Sequence, residues 1–327
     1  MSLPALRAIR ERFPLAHIAI LARPWVADLY AREPFCDQMI RYTAAPGSHD
    51  WGKKWRLARA LAAEHFDCAI LLQNAFEAAL LVRLAGIPEC IGYARDGRGW
   101  LLTRSVPVPE RWAIPPHQRF YYLELLRRAD LLDSMPTSDA IRLEGAEAAR
   151  EAGQKRLAAA GLGPCVVGIS PGAAYGGAKR WLPERFAEAA AEVAGTIGAG
   201  IALFGSGEER DLCDSVAVLL SGQGREVRNF SGQTTLAEFI EMAAACRAYL
   251  TNDSGGMHIA SALGVPTVAI FGATDEEATG PTGPLARVVR EPVDCSPCLL
   301  RECPIDHRCM TRVDAHRVAE TALELLK

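Results

Sequence analysis

Apolar and polar positions along the chain follow two periods in turn. Ser2 to Phe13 carries Leu3, Leu6, Ile9 and Phe13 at helical steps with arginines between them, which predicts an amphipathic helix. His17 to Ala22 follows as a β-rich run. Ala58 to His65 reads as a helix and Cys68 to Leu72 as a buried strand. Phe76 to Leu84 reads as a helix stopped by Gly86 and Pro88, and Ile91 to Ala94 as a short strand. Alternation of this kind implies a parallel, doubly wound sheet. Such a unit ordinarily opens with a strand, whereas this one opens with a helix at its second residue. A first strand and its loop are therefore expected to be missing.

Trp100 to His117, rich in proline and arginine, is expected to cross the surface. Gln118 to Leu132 reads as a helix, Ser134 to Ala140 as a linker, and Ala146 to Ala159 as a further helix. Glycine and proline punctuate Gly161 to Pro164, which sets the expected domains at 1–160 and 161–327. The second half repeats the alternation more clearly. Val166 to Ser170, Ile201 to Phe204 and Thr267 to Phe271 read as strands, with helices over Pro183 to Ala194 and Glu208 to Leu220. A further helix starts at Thr235, with Glu238 completing a capping box, and the last spans about Asp314 to Leu326. The stretch that organises this half is Ala248 to Gly264. It combines a buried strand to Asn252, a polar turn at Asp253, Ser254, Gly255 and Gly256, and a helix from Met257 capped by Gly264. The coarse architecture expected is two similar doubly wound halves with a cleft between them.

Composition narrows the classes. The chain has 327 residues, of which 50% are hydrophobic and 23% charged, enough apolar content for two folded domains. A net charge of −3 gives no reason to expect nucleic acid as a partner. No apolar run reaches the roughly 18 residues of a membrane span, and the N-terminus lacks a secretory apolar core. Six of the ten cysteines are scattered, as reduced core residues of a cytoplasmic protein would be.

In an open α/β sheet ligands sit beyond the C-terminal ends of strands. Three loops of the second half qualify. Ser170 to Trp181 supplies backbone amides near three glycines and Lys179 as a point charge for phosphate, with Trp181 expected to pack. Gly205 to Glu209 offers Glu208 and Glu209 to ribose hydroxyls, though acidic residues at a helix start also complement its dipole without a ligand. Asp253 to His258 offers Gly255 and Gly256 for close backbone approach and free amides at a helix N-terminus. Together they describe a nucleoside diphosphate pocket. None carries the Gly-Lys-Ser/Thr ending of a P-loop or a Gly-x-Gly-x-x-Gly fingerprint, which counts against a triphosphatase and a nicotinamide enzyme.

Residues 170–181 and Thr251 to His258 resemble glycosyltransferase family 9, in its ADP-heptose:lipopolysaccharide heptosyltransferase II subgroup. Arg95 to Thr103 and Cys295 to Met310 are similar to the same subgroup, so the resemblance covers nearly the whole chain. It implies a GT-B architecture, two Rossmann-like domains with the donor bound by the C-terminal one and the acceptor by the N-terminal one. It also implies inverting transfer of heptose from ADP-L-glycero-D-manno-heptose to an inner-core heptose of lipopolysaccharide. Lys179 and the turn Asp253, Ser254, Gly255, Gly256 and His258 would hold the diphosphate, beside Ser170, with Glu208 or Glu209 on the ribose. Arg95, Arg98 and Arg119 would bind anionic groups of the acceptor. No cofactor is required if the amides and Lys179 neutralise the leaving group. The enzyme would lie in the cytoplasm, peripheral to the inner membrane. Because no amphipathic basic helix stands out, its contact with the membrane is expected to be transient.

The family carries a Gly-Asp pair after its first strand, whose aspartate is the proposed general base. Met1 falls where that loop should end, so no catalytic base is expected within the chain. The expectation is a start at an internal methionine, with about 15 further residues for one strand and a loop in the natural protein. A sugar-nucleotide-binding protein without catalysis, or a family 9 transferase of another sugar or acceptor, are the alternatives. Finally, Cys295, Cys298, Cys303 and Cys309, with His307 nearby, form a candidate structural zinc site, although their spacing is not that of a paired zinc ribbon.

Overall fold

The computed structural model describes residues 1–45, 50–110, 112–136 and 138–327. Arg111, in the expected surface stretch, and Thr137, in the expected linker, lie outside them. Two compact units divide between Asp139 and Ala140.

The first unit runs α1 (Leu3–Arg12), β1 (Ala19–Ala22), α2 (Pro24–Tyr30), β2 (Gln38–Arg41), α3 (Trp51–Ala63), β3 (Cys68–Leu71), α4 (Phe76–Leu84), β4 (Glu89–Tyr93), β5 (Arg104–Val106) and α5 (Gln118–Arg128). α1 starts with a proline in its first turn and ends with Arg10 and Arg12, the favoured polarity for a helix dipole. Its Ala5 and Ala8 pack on Leu123 and Leu126 of α5. All strand pairs are parallel, but they form two sheets, β1–β2 and β3–β4–β5. No strand among the described residues joins them. In α3 the buried side is Lys54, Ala58 and Leu61, and Trp51 and Trp55 stay exposed alongside Lys53, Arg56 and Arg59. This helix is basic and amphipathic, although no such helix stands out in the sequence. Its aromatic stripe looks like core in a pattern of residue types.

The second unit opens with α6 (Ala146–Ala159), β6 (Val166–Ser170), α7 (Pro183–Ile197), β7 (Gly200–Leu203), α8 (Arg210–Gly222), β8 (Val227–Asn229) and α9 (Leu236–Ala244). It continues with β9 (Ala248–Asn252), α10 (Gly255–Ala262), β10 (Thr267–Phe271), α11 (Glu276–Thr279), β11 (Ala286–Arg290), α12 (Arg308–Thr311) and α13 (Ala315–Glu324). One parallel sheet has the order β11-β10-β9-β6-β7-β8. β6, β7, β9 and β10 are buried along their whole length, because helices cover both faces. That is why they read as unbroken apolar runs. Val167, Ile169, Leu203, Leu250 and Ile270 join Trp181 and Phe186 in one core. Thr235 caps α9 with Glu238 closing the reciprocal bond, as expected.

The domain division differs from the sequence expectation at α6. The glycines near 161 end a helix inside the second unit rather than separating the two. α6 lies against α9: Arg156 bonds Glu238 at 3.0 Å and Glu241 at 2.6 Å. Gly153 lets the backbones meet, since a methyl there would stand 1.9 Å from the Glu241 carbonyl oxygen. Gly153→Ala should therefore push α6 off α9 and destabilise the second unit by about 1–3 kcal/mol. Urea unfolding followed in that unit would read the loss, and an unchanged midpoint would argue against this packing.

Candidate functional site

The sheet order of the second unit creates a switch point. From β6 the chain builds outward through β7 and β8, and from β9 it builds the other way through β10 and β11. β6 and β9 pair with Val167 opposite Ala248 and Ser170 opposite Thr251. The connections beyond these two strands diverge, and the space between them is where doubly wound sheets take ligands.

Three of the expected groups meet there. Lys179 follows β6 at the end of a short 3-10 turn, Gly177–Lys179. Its Nζ donates to Asp253 Oδ2 at 2.6 Å. Thr274 Oγ1 donates to the same oxygen at 2.7 Å. Asp253 is only 6% exposed, so the carboxylate fixes the lysine from a buried position. Ser254 caps α10 by accepting from Met257 N at 3.4 Å, and Gly264 takes the left-handed conformation beyond the helix, with φ +75°. Gly255 has open space where a side chain would be, whereas a methyl on Gly256 would press on Ser170 Oγ at 3.1 Å. The open side of Gly255 and the first amides of α10 are thus available to an anion. His258, half-buried in the first turn, lies on the same helix.

Ser170 is engaged differently from the expectation. Its Oγ lies 2.7 Å from the hydroxyl of Tyr249, and burial pushes that phenol well above its ordinary value. The pair is neutral and fills the floor between β6 and β9. Glu208 and Glu209 also part company. Glu209 accepts from Ser206 N at 2.8 Å and from Ser206 Oγ at 3.0 Å, closing a capping box before α8. Its carboxylate lies where a Cβ on Gly172 would need to be, at 2.0 Å, so it braces the first loop. Glu208 is exposed and has no hydrogen-bond partner among the described residues.

A residue that pattern reading left inside the strand turns out to organise the loop. Asn252, fully buried, accepts from Trp181 N at 3.0 Å and donates to the Pro171 carbonyl at 2.7 Å. One side chain therefore ties both ends of the Pro171–Trp181 loop to β9. Trp181 itself packs edge-on against Phe186, with its indole N–H on the Val313 carbonyl at 3.3 Å. It is core, as expected. The signal for Asn252 and Thr274 is weak in sequence: each is a small polar residue, one at the end of β9 and the other three residues beyond β10.

In the first unit the arginines separate. Arg98 is corrected: it is 0% exposed and cannot reach an acceptor. Its guanidinium donates to the carbonyls of Tyr93 at 3.0 Å and Gln73 at 2.5 Å, and to Asn74 Oδ1 at 3.3 Å. It ties the loop after β3 to the end of β4, and a forked cation surrounded by carbonyls is a satisfied structural group. Arg95 is exposed beside Asp96 at 3.7 Å. Arg119 pairs with Asp139 at 3.1 Å and lies over the Phe120 ring at 4.7 Å.

The four C-terminal cysteines line one small cavity of about 70 Å³ with Ala178 and Ala273 in its wall. Burial raises the Cys309 thiol above its ordinary value, helped by the charge of Cys295, Cys298 and Cys303. Among the described residues, however, no three His, Cys, Asp or Glu side chains gather as a metal-binding group. His307 Nε2 is turned to the Ala178 carbonyl at 2.9 Å instead. The arrangement does not fit the tetrahedral zinc expected from the sequence.

Comparison with known proteins bears on the whole chain. Residues 54–308 match the model of Glycosyltransferase family 9 (heptosyltransferase). Lipopolysaccharide heptosyltransferase 2 of Escherichia coli (strain K12) is 31% identical over 295 residues, covering 89% of this chain and 84% of that protein. Lipooligosaccharide heptosyltransferase 2 of Haemophilus influenzae is 30% identical over 297 residues, with the same coverage of 89% and 84%. The solved structure of E. coli ADP-heptose lps heptosyltransferase II superposes with a TM-score of 0.82 at 29% identity, over 99% of this chain and 94% of that one.

Asn252→Ala would strand the Trp181 amide and the Pro171 carbonyl in a dry site. The expected loss is about 2–3 kcal/mol of stability in the second unit, read by chemical denaturation. A loss below about 0.5 kcal/mol, the scatter of neutral surface changes, would mean that the loop is held by other contacts.

Proposed function

The chain belongs to glycosyltransferase family 9, and from that membership we propose that it moves heptose from an ADP-heptose donor to the inner core of lipopolysaccharide. It is a glycosyltransferase with the GT-B type of fold. The observation that carries the donor half of the reading is Lys179 held beside the N-terminus of α10 at the β6–β9 switch point. Breaking the sugar–phosphate bond leaves charge on the departing diphosphate. An ammonium and preset amides at that place stabilise the charge as it develops, without reorganising. Before the donor binds, Asp253 keeps the lysine extended. Glu208 is the carboxylate left for a ribose hydroxyl, since Glu209 serves the capping box and the Gly172 loop.

On the acceptor side, Arg95 and Arg119 remain as cations for anionic inner-core groups. Inversion also needs a group to take the proton of the attacking hydroxyl. The resemblance assigns it to the aspartate of a Gly-Asp pair, and the sequence contains no such pair, so transfer by this chain would need another of its groups to take that proton. Donor binding and transfer are therefore best read separately. With ADP-heptose and a heptose–Kdo–lipid A acceptor, the expected result is donor binding together with ADP release that rises with acceptor. Lys179→Met should lower the transfer rate by about a hundredfold, the scale of losing one charge-stabilising donor. Preference for a different nucleotide sugar would replace the heptose reading by that of another family 9 transferase. Binding without any transfer would favour a sugar-nucleotide-binding protein.

A lipid acceptor requires the enzyme to work at a cytoplasmic membrane surface, and no helix among the described residues is long and apolar enough to cross one. Peripheral contact through α3 is the reading supported by its exposed tryptophans, each 53% accessible, beside exposed Lys53, Arg56 and Arg59. Indole rings favour the headgroup level and cations favour anionic lipid. The same unit exposes a second aromatic pair, with the ring of Trp100 6.2 Å from that of Phe76. In vesicle sedimentation the chain should bind phosphatidylglycerol vesicles better than phosphatidylcholine ones. A Trp51→Ala, Trp55→Ala double variant should lose about tenfold in that binding. Equal sedimentation of the variant would exclude α3 as the contact.

A further inference from the structure

The cysteine-rich loop before α12 touches both walls of the donor pocket. On one side it holds the turn that carries Lys179. The Tyr175 hydroxyl donates to the Leu299 carbonyl at 2.9 Å, and Ala178 N donates to the Arg301 carbonyl at 2.9 Å. Gly177 N donates to Glu302 Oε1 at 2.9 Å, and His307 Nε2 donates to the Ala178 carbonyl at 2.9 Å. The fit leaves no slack. A methyl on Gly176 would stand 2.3 Å from the Arg301 carbonyl oxygen, and one on Gly177 2.4 Å from Glu302 Oε2. Arg301 and Lys179 share the Tyr175 ring, at 5.2 Å and 5.0 Å from its centre.

On the other side the same loop holds the connection after β10. Ser296 Oγ donates to the Gly272 carbonyl at 2.6 Å, and Leu299 N donates to the Ala273 carbonyl at 2.8 Å. The next residue is Thr274, which donates to Asp253. Both ends of the Lys179–Asp253 pair are therefore bolted to one segment. We propose that the loop from Cys295 to Cys309 is a clamp that sets the position of the Lys179 ammonium for the donor diphosphate, with Glu302 and His307 as its positioning residues. The inference rests on the donor reading given above. It gives this loop a task that needs no metal ligand set.

Charge alone points the other way. An acidic side chain near an anion site repels the anion, so a purely electrostatic Glu302 would be a hindrance. Its value here is an acceptor oxygen placed on the Gly177 amide. Glu302 is exposed, so substituting it leaves the core intact.

The experiment is a calorimetric titration of the full chain with ADP. Glu302→Ala should weaken ADP binding by about five- to tenfold, the scale of losing one ordinary hydrogen bond. Glu302→Gln keeps the acceptor oxygen and removes the charge, so it should bind ADP at least as well as the unaltered chain. His307→Ala should weaken binding similarly and His307→Gln, which can still donate, should restore most of it. In a Lys179→Met background Glu302→Ala should cost less than twofold, because the group it positions is gone. Tighter or equal binding by Glu302→Ala, or an undiminished loss in the Lys179→Met background, would overturn the clamp. Absence of ADP binding by the unaltered chain would remove the donor reading and the clamp with it. ADP binding that ignores Glu302 would remove the clamp alone.

Discussion

The second unit depends on one contact, the parallel pairing of β6 with β9. Both strands are wholly buried, and every backbone group along them must find its partner in the ladder. That requirement fixes where Ser170 and Asn252 end. Once those ends are fixed, the two outgoing chains leave on diverging paths, and short polar side chains are all that can bridge them. Asn252 ties one loop shut, Asp253 reaches across to Lys179, and Ser170 meets Tyr249 under the floor. The site is thus a consequence of sheet order before it is a consequence of any single charged residue.

The same logic explains which parts were legible in the sequence. Strands buried on both faces, such as 166–170, 248–252 and 267–271, have to be apolar throughout, and pattern reading finds them at their observed bounds. The strands it misses are Gln38–Arg41, Arg104–Val106, Val227–Asn229 and Ala286–Arg290, and each lies at the edge of a sheet. An edge strand shows one side to water, so arginine, glutamine and asparagine are tolerated and the alternation fades. Glycine and proline near 161 mark a real turn, but a turn between α6 and β6 looks the same in sequence as a turn between domains.

The site was legible to a similar depth. Lys179 and Asp253 to Gly256 stand out because glycines and a lone cation after a strand have few other uses, and the fold brings them together. Arg98 shows the limit. Its type and its place in a polar loop suggest a surface ligand, yet it is a buried cation surrounded by carbonyls. Nothing local distinguishes the two, because the carbonyls of 73–75 that satisfy it come from another strand end. Asn252, Thr274 and Glu302 act through partners more than twenty residues away, and such partnerships exist only once the sheet is assembled.

The divided sheet of the first unit leaves its strands with open edges. Among the described residues, β1 and β3 each end a sheet, and each has partly exposed side chains, Leu21 at 38% and Cys68 on its outer end. A row of amides and carbonyls without a neighbouring strand is a template that a second chain can extend. The six-stranded sheet of the second unit has two such rows for six strands, whereas the first unit has four rows for five. Ladder hydrogen bonds alone can seat a further strand at such an edge, so the first unit has proportionally more places for one than the unit that carries Lys179 and Asp253.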